Sequence, residues 1–566
     1  MPFGGCLAAI SARNEVTMDS SRNALLAAVE EQAHRTPDAI AWETSDGDLL
    51  TYGELWDASD DLACKLRDIP APDEDVVVYG NKSPLMVCAF LACLKSGHAY
   101  VPTDSGVPDA RVANILGQLH ATCVIAVDPL SVEAIQDRPG MRLVGPSELR
   151  DSLSAARSAS PARPRRGWEV TGAATQYVIF TSGSTGTPKG VEVSADDVAN
   201  FMPWDRSLFA GATHPATFVN QALLSFDLSV TELVAALSTG SRVFSLTTPC
   251  QHDLSLCFKR LAASGATCWV STPSFVTMCL ADPSFGPDLM PDLTHFFFCG
   301  EALVPAVARE LLDRFPGAHV VNAYGPTEST VAVSSVEVTP QMAAADELPV
   351  GVPRKGTRIL VCDPATGKVM VPGAQGEIVI CGDTVATGYY GEPDKTRAVF
   401  GTRQVDGTTM RTYRTGDLGH VDEKGMLWCA GRIDGQVKVN GYRIELGEVE
   451  SALTDAPEVK LACVVVRRRR VSSCLEAHVE LVGDHGTDDV ARLARDLRCR
   501  LAGRLPAYMV PRRIVVEPEV ALTPNGKIDR KVYQAPAAET SRRSSHAPHV
   551  SRPAPVAAAL APRFNA

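Results

Sequence analysis

The sequence holds 16 cysteines but no Cys-x-x-Cys pair. Several lie inside apolar runs, as in Leu91-Ala92-Cys93-Leu94 and Val361-Cys362, the pattern of buried, reduced thiols in a cytosolic protein rather than of a disulfide framework. Long apolar runs are missing too. The longest, Pro84 to Leu94, ends at Lys95 and falls short of the roughly 20 residues a spanning helix needs. There is no basic excess: the formal net charge of -12 argues against a general nucleic-acid binder, which needs a basic face, and leaves room for binding one nucleotide. The opening residues Met1 to Cys6 carry neither a basic stretch nor an apolar core. No signal peptide or membrane insertion is expected, and the cytoplasm is the expected location. No internal repeat is visible.

What is present is an ordinary globular composition, 45 % apolar and 21 % charged over 566 residues, enough for three or four folded units. Leu25, Leu26, Val29 and Ala33 recur at helical spacing until Thr36-Pro37. Short apolar strands then alternate with helical segments: Val76 to Val78, Val124 to Val127, Tyr177 to Phe180 and Thr217 to Val219. Such alternation predicts an α/β architecture with buried, largely parallel strands. Ser152 to Arg166, rich in Ser, Ala, Pro and Arg, reads as a surface loop. From about Leu348 the chain turns β-rich with frequent Gly, as in a small barrel or sandwich. From about Gly435 a smaller α+β unit follows, with a strand over Ala462 to Val466 and a helix over Val490 to Leu501. Residues 1–20 read as a flexible extension and 534–566 as a disordered tail.

The sharpest local signal is Thr181-Ser182-Gly183-Ser184-Thr185-Gly186-Thr187-Pro188-Lys189-Gly190, directly after the strand Tyr177 to Phe180. Its glycines let backbone N–H groups approach an anion, its hydroxyls add donors, and Lys189 adds a mobile positive charge. It is not the Walker pattern, because Pro188 precedes the lysine and Gly190 follows it.

Together with Leu50 to Leu55 (Leu-Thr-Tyr-Gly-Glu-Leu) and Leu94 to Pro102 (Leu-Lys-Ser-Gly-His-Ala-Tyr-Val-Pro), this loop resembles the adenylate-forming superfamily of acyl-CoA synthetases, luciferases and adenylation domains, over roughly residues 21–533. The resemblance implies a large N-terminal domain, 21–433, made of two α/β subdomains and a small β-barrel-like one. A small mobile α+β domain, 435–533, follows a hinge at Asp434. It implies ATP and Mg²⁺ as cofactors. Asn322-Ala323-Tyr324-Gly325-Pro326-Thr327-Glu328 is similar to the family's second nucleotide motif: Tyr324 offers a face for adenine, Thr327 a donor to the α-phosphate and Glu328 a hard oxygen ligand for Mg²⁺. Asp417 resembles the carboxylate that accepts the ribose hydroxyls. Arg432 is similar to a second ribose contact, and Cys429 to a further wall of the nucleotide site. Lys527, in Thr523-Pro524-Asn525-Gly526-Lys527, resembles the catalytic lysine. A carboxylate attacking a phosphate brings two anions together, and a preorganised cation lowers that barrier. Rotation about Asp434 would then withdraw Lys527 and present Gly441 to Ile444 to an incoming thiol.

Phe226-Asp227-Leu228-Ser229 bears on the acid. The amino-acid-activating members carry an aspartate here that pairs with the substrate α-ammonium. The alternative for Asp227 is a cap on the helix that begins near Ser229. Longer segments, Trp269 to Phe275, Phe298 to Glu301 and Thr330 to Val333 among them, resemble the D-alanine–carrier protein ligases. That resemblance places Asp227, Leu228, Ser271, Cys299, Val331 and Lys527 around the amino acid. Thr231 and Ala323 stand where bulkier Met and Thr are expected, so the pocket is expected to differ slightly in shape, and L-Ala, Gly and Ser stay open beside D-Ala. No carrier domain follows Lys531, so the acceptor is expected to be a separate phosphopantetheinylated carrier protein, and Arg467 to Arg470 is either its docking patch or a solvated hairpin tip. A monomer is expected. A stand-alone loading enzyme for another small amino acid, and a catalytically silent assembly partner, are the alternatives.

Overall fold

The computed structural model describes residues 21–67, 74–131, 133–135, 138, 140–158, 161–165, 167–183, 187–433, 435–468, 473–483, 487–523 and 528–534. Asp434, Lys527, Ser184, Thr185, Gly186, Arg469 and Arg470 lie outside these, as do residues 1–20 and 535–566. Gln534, read above as the start of the tail, ends the helix Lys531–Gln534.

Local chemistry starts the elements. Asn23 caps the helix Ala24–Arg35, whose buried face is Leu25, Leu26, Val29 and Ala33. Leu50 to Leu55 is a capping box: Thr51 accepts from the Glu54 N–H and the Glu54 side chain returns to the Thr51 N–H, opening the helix Tyr52–Leu66. The helix Pro84–Ser96 ends at Gly97, which holds φ 90°, and a Cβ there would lie 2.6 Å from the Trp168 carbonyl. These two family segments are therefore structural.

One expectation is corrected. The first part of the Ser152 to Arg166 stretch is helical, the end of the helix Pro146–Arg157. Its Ala and Arg residues are good helix formers. Pro146 starts it, Leu149 and Ser152 are buried, and Lys65 donates to Ser152 Oγ at 2.8 Å. Composition suggested a loop where packing on Tyr52–Leu66 makes a helix.

Among the described residues, two mixed sheets carry the large domain. A seven-stranded sheet runs in the order Gly388–Tyr389, Lys189–Ser194, Thr175–Thr181, Tyr100–Asp104, Val76–Gly80, Cys123–Ala126, Arg142–Val144. A nine-stranded sheet contains the parallel series His319–Tyr324, His295–Phe298, Cys268–Ser271, Thr217–Asn220, Arg242–Ser245 and Ile40–Thr44. One apolar core, including Trp42, Tyr52, Tyr177, Phe218 and Phe297, joins both sheets and the helices between them. The β-rich part is an antiparallel five-stranded sheet led by Thr357–Cys362, Gly376–Gly382 and the long strand Thr408–Val421.

The small domain has its own core, with Val449, Val464, Ala477, Leu497 and Met509, over the three-stranded sheet Val459–Arg468, Ser473–Leu481, Arg513–Glu517 and the helix Thr487–Ala502. A separate hairpin, Gln436–Val439 with Tyr442–Glu445, turns at Asn440 (φ 51°) and Gly441 (φ 86°). Asn-Gly is the pair that a two-residue turn with both φ positive favours.

Candidate active site

Parallel strands end together, and ligands of open α/β sheets bind beyond their carboxyl ends. Here Thr181, Ser271 and Tyr324 close three strands, Cys299 follows a fourth, and Asp227 lies seven residues past Asn220, the end of a fifth. The topology of the nine-stranded sheet thus gathers Ser271, Cys299, Tyr324 and Asp227, and Thr181 joins them from the seven-stranded sheet.

On the nucleotide side, Asp417 is buried and held from two directions. Tyr324 OH donates to its Oδ2 at 2.6 Å, and Arg432 Nη1 pairs with its Oδ1 at 2.6 Å. The expected aromatic face is thus also a donor that orients the carboxylate. Asn322 Nδ2 donates to the Pro349 carbonyl at 2.8 Å, fixing the strand end. A cavity of about 750 Å³ opens here, with Tyr324, Asp417, Cys429 and Arg432 on the large-domain side and Lys438 and Arg467 from the small domain, a volume suited to a small ligand.

Lys189 begins the strand Lys189–Ser194. Its Nζ lies 4.7 Å from the Tyr389 ring centre, donates to Tyr389 OH at 3.2 Å and stands 3.6 Å from Glu328 Oε1. Burial lowers its pKa, opposed by Glu328. Glu328 is fully buried in the short 3₁₀ turn Thr327–Ser329. Tyr389 OH donates to its Oε1 at 2.8 Å and Arg443 Nη1 to its Oε2 at 2.7 Å. Burial alone would raise its pKa, but Arg443 and then Lys189 hold it far below the usual carboxylate range.

The side expected to take the amino acid holds Asp227. It precedes the helix Leu228–Leu237 but makes no capping hydrogen bond, which removes the support for the helix-cap alternative. Burial raises its pKa, and a hydrogen bond with the Thr327 side chain and the nearby Lys438 oppose this. Leu228 is buried, and Ser271 is buried with Oγ donating to the Thr272 carbonyl at 3.0 Å. Cys299 Sγ lies 3.8 Å from the Val331 carbonyl. Thr330 (φ 61°) and Val331 (φ 65°) are both left-handed, a conformation that costs β-branched residues about 1–3 kcal/mol each and collects at functional sites. Gly325 packs so that a Cβ would lie 2.5 Å from Ala332 Cα, which ties the nucleotide motif to this bend.

The small domain closes the cleft. Gly441 lies against Thr272, whose Cγ2 would stand 2.4 Å from an added Cβ. Tyr442 stacks on Tyr508 at 3.9 Å and meets Phe226 edge-on at 5.2 Å. Ser182 Oγ donates to the Arg443 carbonyl at 2.7 Å and accepts from the Glu445 N–H at 3.2 Å, and Gly183 N–H donates to Glu448 Oε2 at 3.3 Å. Thr181 Oγ1 donates to the Lys189 carbonyl at 3.4 Å. Sequence reading missed Tyr389, Glu448 and the pairing of Arg443 with Glu328. Their partners lie 61, 265 and 115 residues away in sequence, a separation no local pattern reveals.

Comparison with known proteins agrees with this geometry. Residues 29–390 match the AMP-binding enzyme family, and residues 448–527 the AMP-binding enzyme C-terminal domain. The chain is 38 % identical over 511 residues to the D-alanine–D-alanyl carrier protein ligase of Bacillus licheniformis, covering 90 % of this chain and 98 % of that one. It is 40 % identical over 512 residues to the ligase of the same name from Bacillus velezensis, with the same coverage. Among solved structures, holo-PA1221, an NRPS protein containing adenylation and PCP domains, superposes with a TM-score of 0.74 at 29 % identity, over 90 % of this chain and 83 % of that one. Among the described residues no helix is long and apolar enough to cross a membrane. The chain belongs to the AMP-binding enzyme family: it is an ATP-using, AMP-forming ligase of the adenylate-forming superfamily.

Proposed function

We propose that this enzyme activates a small amino acid, D-alanine first, as its aminoacyl adenylate and passes the acyl group to the phosphopantetheine thiol of a separate carrier protein. The observation that carries the amino-acid assignment is the placement of Asp227: a half-buried carboxylate just beyond the strand ends that caps no helix. A carboxylate partly withdrawn from water favours a cationic partner, and the α-ammonium of an amino acid is the partner proposed, beside Lys438 of the small domain. The names of the Bacillus relatives support D-alanine and a carrier acceptor.

In the first step the amino-acid carboxylate attacks the α-phosphorus of ATP and pyrophosphate leaves. Asp227 holds the ammonium, Asp417 and Arg432 hold the ribose, and Lys189 draws off charge on the phosphates. Lys527 is the proposed cation between the two reacting anions. In the second step a thiolate attacks the adenylate carbonyl and AMP departs. Family resemblance assigns Mg²⁺ to Glu328. With the hairpin docked, Glu328 does not fit that role, because Arg443 and Tyr389 occupy its two oxygens. No step is routed through a metal here.

The test is ATP–pyrophosphate exchange across D- and L-Ala, Gly and Ser. D-Ala-dependent exchange is the expected result, and no exchange with any of them overturns the reading. One observation favours a second reading, a small hydroxy amino acid such as Ser. Thr231 lies one turn beyond Asp227 on the same helix, fully buried, with no hydrogen-bond partner for Oγ1 among the described residues.

A smaller effect is expected at the ribose carboxylate. Tyr324→Phe removes the donor to Asp417 Oδ2 while keeping the ring. The KM for ATP is expected to rise about tenfold, the size of one hydrogen bond to a charged group, with the amino-acid KM unchanged in the same assay.

A further inference from the structure

Lys82 is a buried cation that the proposed chemistry leaves unused. It lies between the strand Val76–Gly80 of the seven-stranded sheet and the helix Pro84–Ser96, and it is 1 % exposed. Withdrawing an ammonium from water is costly unless its N–H groups are satisfied, and lysine has three of them. Three oxygens at the end of one strand of the nine-stranded sheet meet them: the Asn220 carbonyl at 3.3 Å, Asn220 Oδ1 at 3.0 Å and the Gln221 carbonyl at 2.6 Å. The base of the side chain is fixed. Asn81 N–H donates to Asp128 Oδ2 at 2.9 Å, Asn81 Nδ2 to Thr248 Oγ1 at 3.0 Å, and the Lys82 N–H to Asn81 Oδ1 at 2.8 Å.

The segment that Lys82 grips joins two walls of the cleft. Asn220 Nδ2 donates to Glu232 Oε1 at 3.1 Å, and Glu232 is on the helix Leu228–Leu237, which Asp227 precedes. Gln221 Oε1 accepts from the Thr272 N–H at 3.4 Å, next to Ser271. Gln251 completes the group: its Nε2 donates to the Gln221 carbonyl at 2.9 Å, and its Oε1 accepts from Gln221 Nε2 at 3.1 Å. One ammonium presented from the first sheet thus holds the point of the second from which the Asp227 side and the Ser271 side both hang.

We propose that Lys82 is a positioning residue for the amino-acid substrate: its ammonium fixes Asn220 and Gln221, and through them the spacing between Asp227 and Ser271. This rests on the amino-acid site proposed above. The effect passes through Asn220 and Glu232 to the helix behind Asp227, and through Gln221 to Thr272. Without the ammonium, buried acceptors at the strand end lose their donor, and the two walls are free to shift against each other. Small displacements of groups that orient a substrate are felt strongly in the reaction. None of these bonds reaches Asp417, Arg432 or Lys189, so the nucleotide side is expected to be spared.

The test is ATP–pyrophosphate exchange by the full chain carrying Lys82→Met, which keeps an unbranched side chain and removes the charge and the donors. The KM for the amino acid is expected to rise about tenfold, the size of a hydrogen bond to a charged group, while kcat and the KM for ATP change by less than about threefold. A cation that only holds the two sheets together would lower the melting temperature and leave the amino-acid KM where it was, and that result overturns the proposal. Equal losses for the amino acid and for ATP overturn it as well. If Lys82→Met fails to fold, Gln251→Leu takes its place, because it releases the same Gln221 carbonyl from a partly exposed position. Its expected effect is a rise of about threefold in the amino-acid KM, the size of a neutral hydrogen bond, with the KM for ATP unchanged; an unmoved amino-acid KM there overturns the proposal. Amino-acid-dependent exchange in the unaltered enzyme with no such response in the variants overturns the role of Lys82 alone. Absence of exchange in the unaltered enzyme overturns the amino-acid site, and this role with it.

Discussion

Asp227→Asn is expected to cut amino-acid-dependent ATP–pyrophosphate exchange by roughly 10²- to 10³-fold, the range set by leaving one member of a buried charge pair without its partner. Asparagine keeps the shape and Asp227 makes no capping bond, so the helix Leu228–Leu237 is expected to stay in place. Only the charge is lost. The loss should therefore fall on the amino acid, as a raised KM and a lowered kcat/KM, while the KM for ATP stays within about twofold. Thermal melting should move little, since Asp227 caps no helix. Exchange above a tenth of the original rate would show that the ammonium finds its partner elsewhere. A lowered melting temperature with an unchanged amino-acid KM would assign Asp227 to folding instead.

The second large effect is expected at Lys527. Its replacement by alanine should lower adenylate formation by about 10²- to 10³-fold, the cost of removing one preorganised charge from a phosphoryl-transfer site. Transfer from a purified aminoacyl adenylate to a thiol acceptor should fall far less. That split separates a cation used in one half-reaction from one that holds the domain together. The flanking residues are anchored within the small domain: Leu522 pairs with Ile528, and Arg530 pairs with Glu450. An equal loss in both half-reactions would remove the assignment.

Much of the frame was readable from local chemistry. Leu25, Leu26, Val29 and Ala33 repeat as a helix because one face must be buried, and that helix is Ala24–Arg35. Apolar strands separated by helices gave a mixed α/β body because parallel strands need crossovers. At the site, the phosphate loop stands out by its residue types alone, whereas Tyr324, Asp417 and Asp227 are singled out only through the resemblance to a known family. Most of what could not be read comes from contacts made only after folding. Tyr389 and Arg443 reach Glu328 only after two domains have folded and met, and nothing in Gly388-Tyr389-Tyr390 or Tyr442-Arg443 marks which tyrosine or arginine turns inward. The same holds for Pro146–Arg157, where Ala and Arg favour a helix, Ser and the prolines beyond it suggest a loop, and packing on the helix Tyr52–Leu66 decides. The bend at Thr330 and Val331 was hidden for the opposite reason: β-branched residues normally signal extended chain, and here they do not take it.

That bend shapes what redesign of the enzyme can reach. Thr330 is moored by its Oγ1 to the Thr384 carbonyl at 2.9 Å, and the Val331 carbonyl faces the Cys299 sulfur. With the amino acid in its proposed site, part of the wall beside the substrate is left-handed main chain at Thr330 and Val331. Trimming residue 331 to widen that pocket is then expected to relax the bend as well as remove side-chain volume, whereas changes at Ala323 or Thr231 leave the bend untouched.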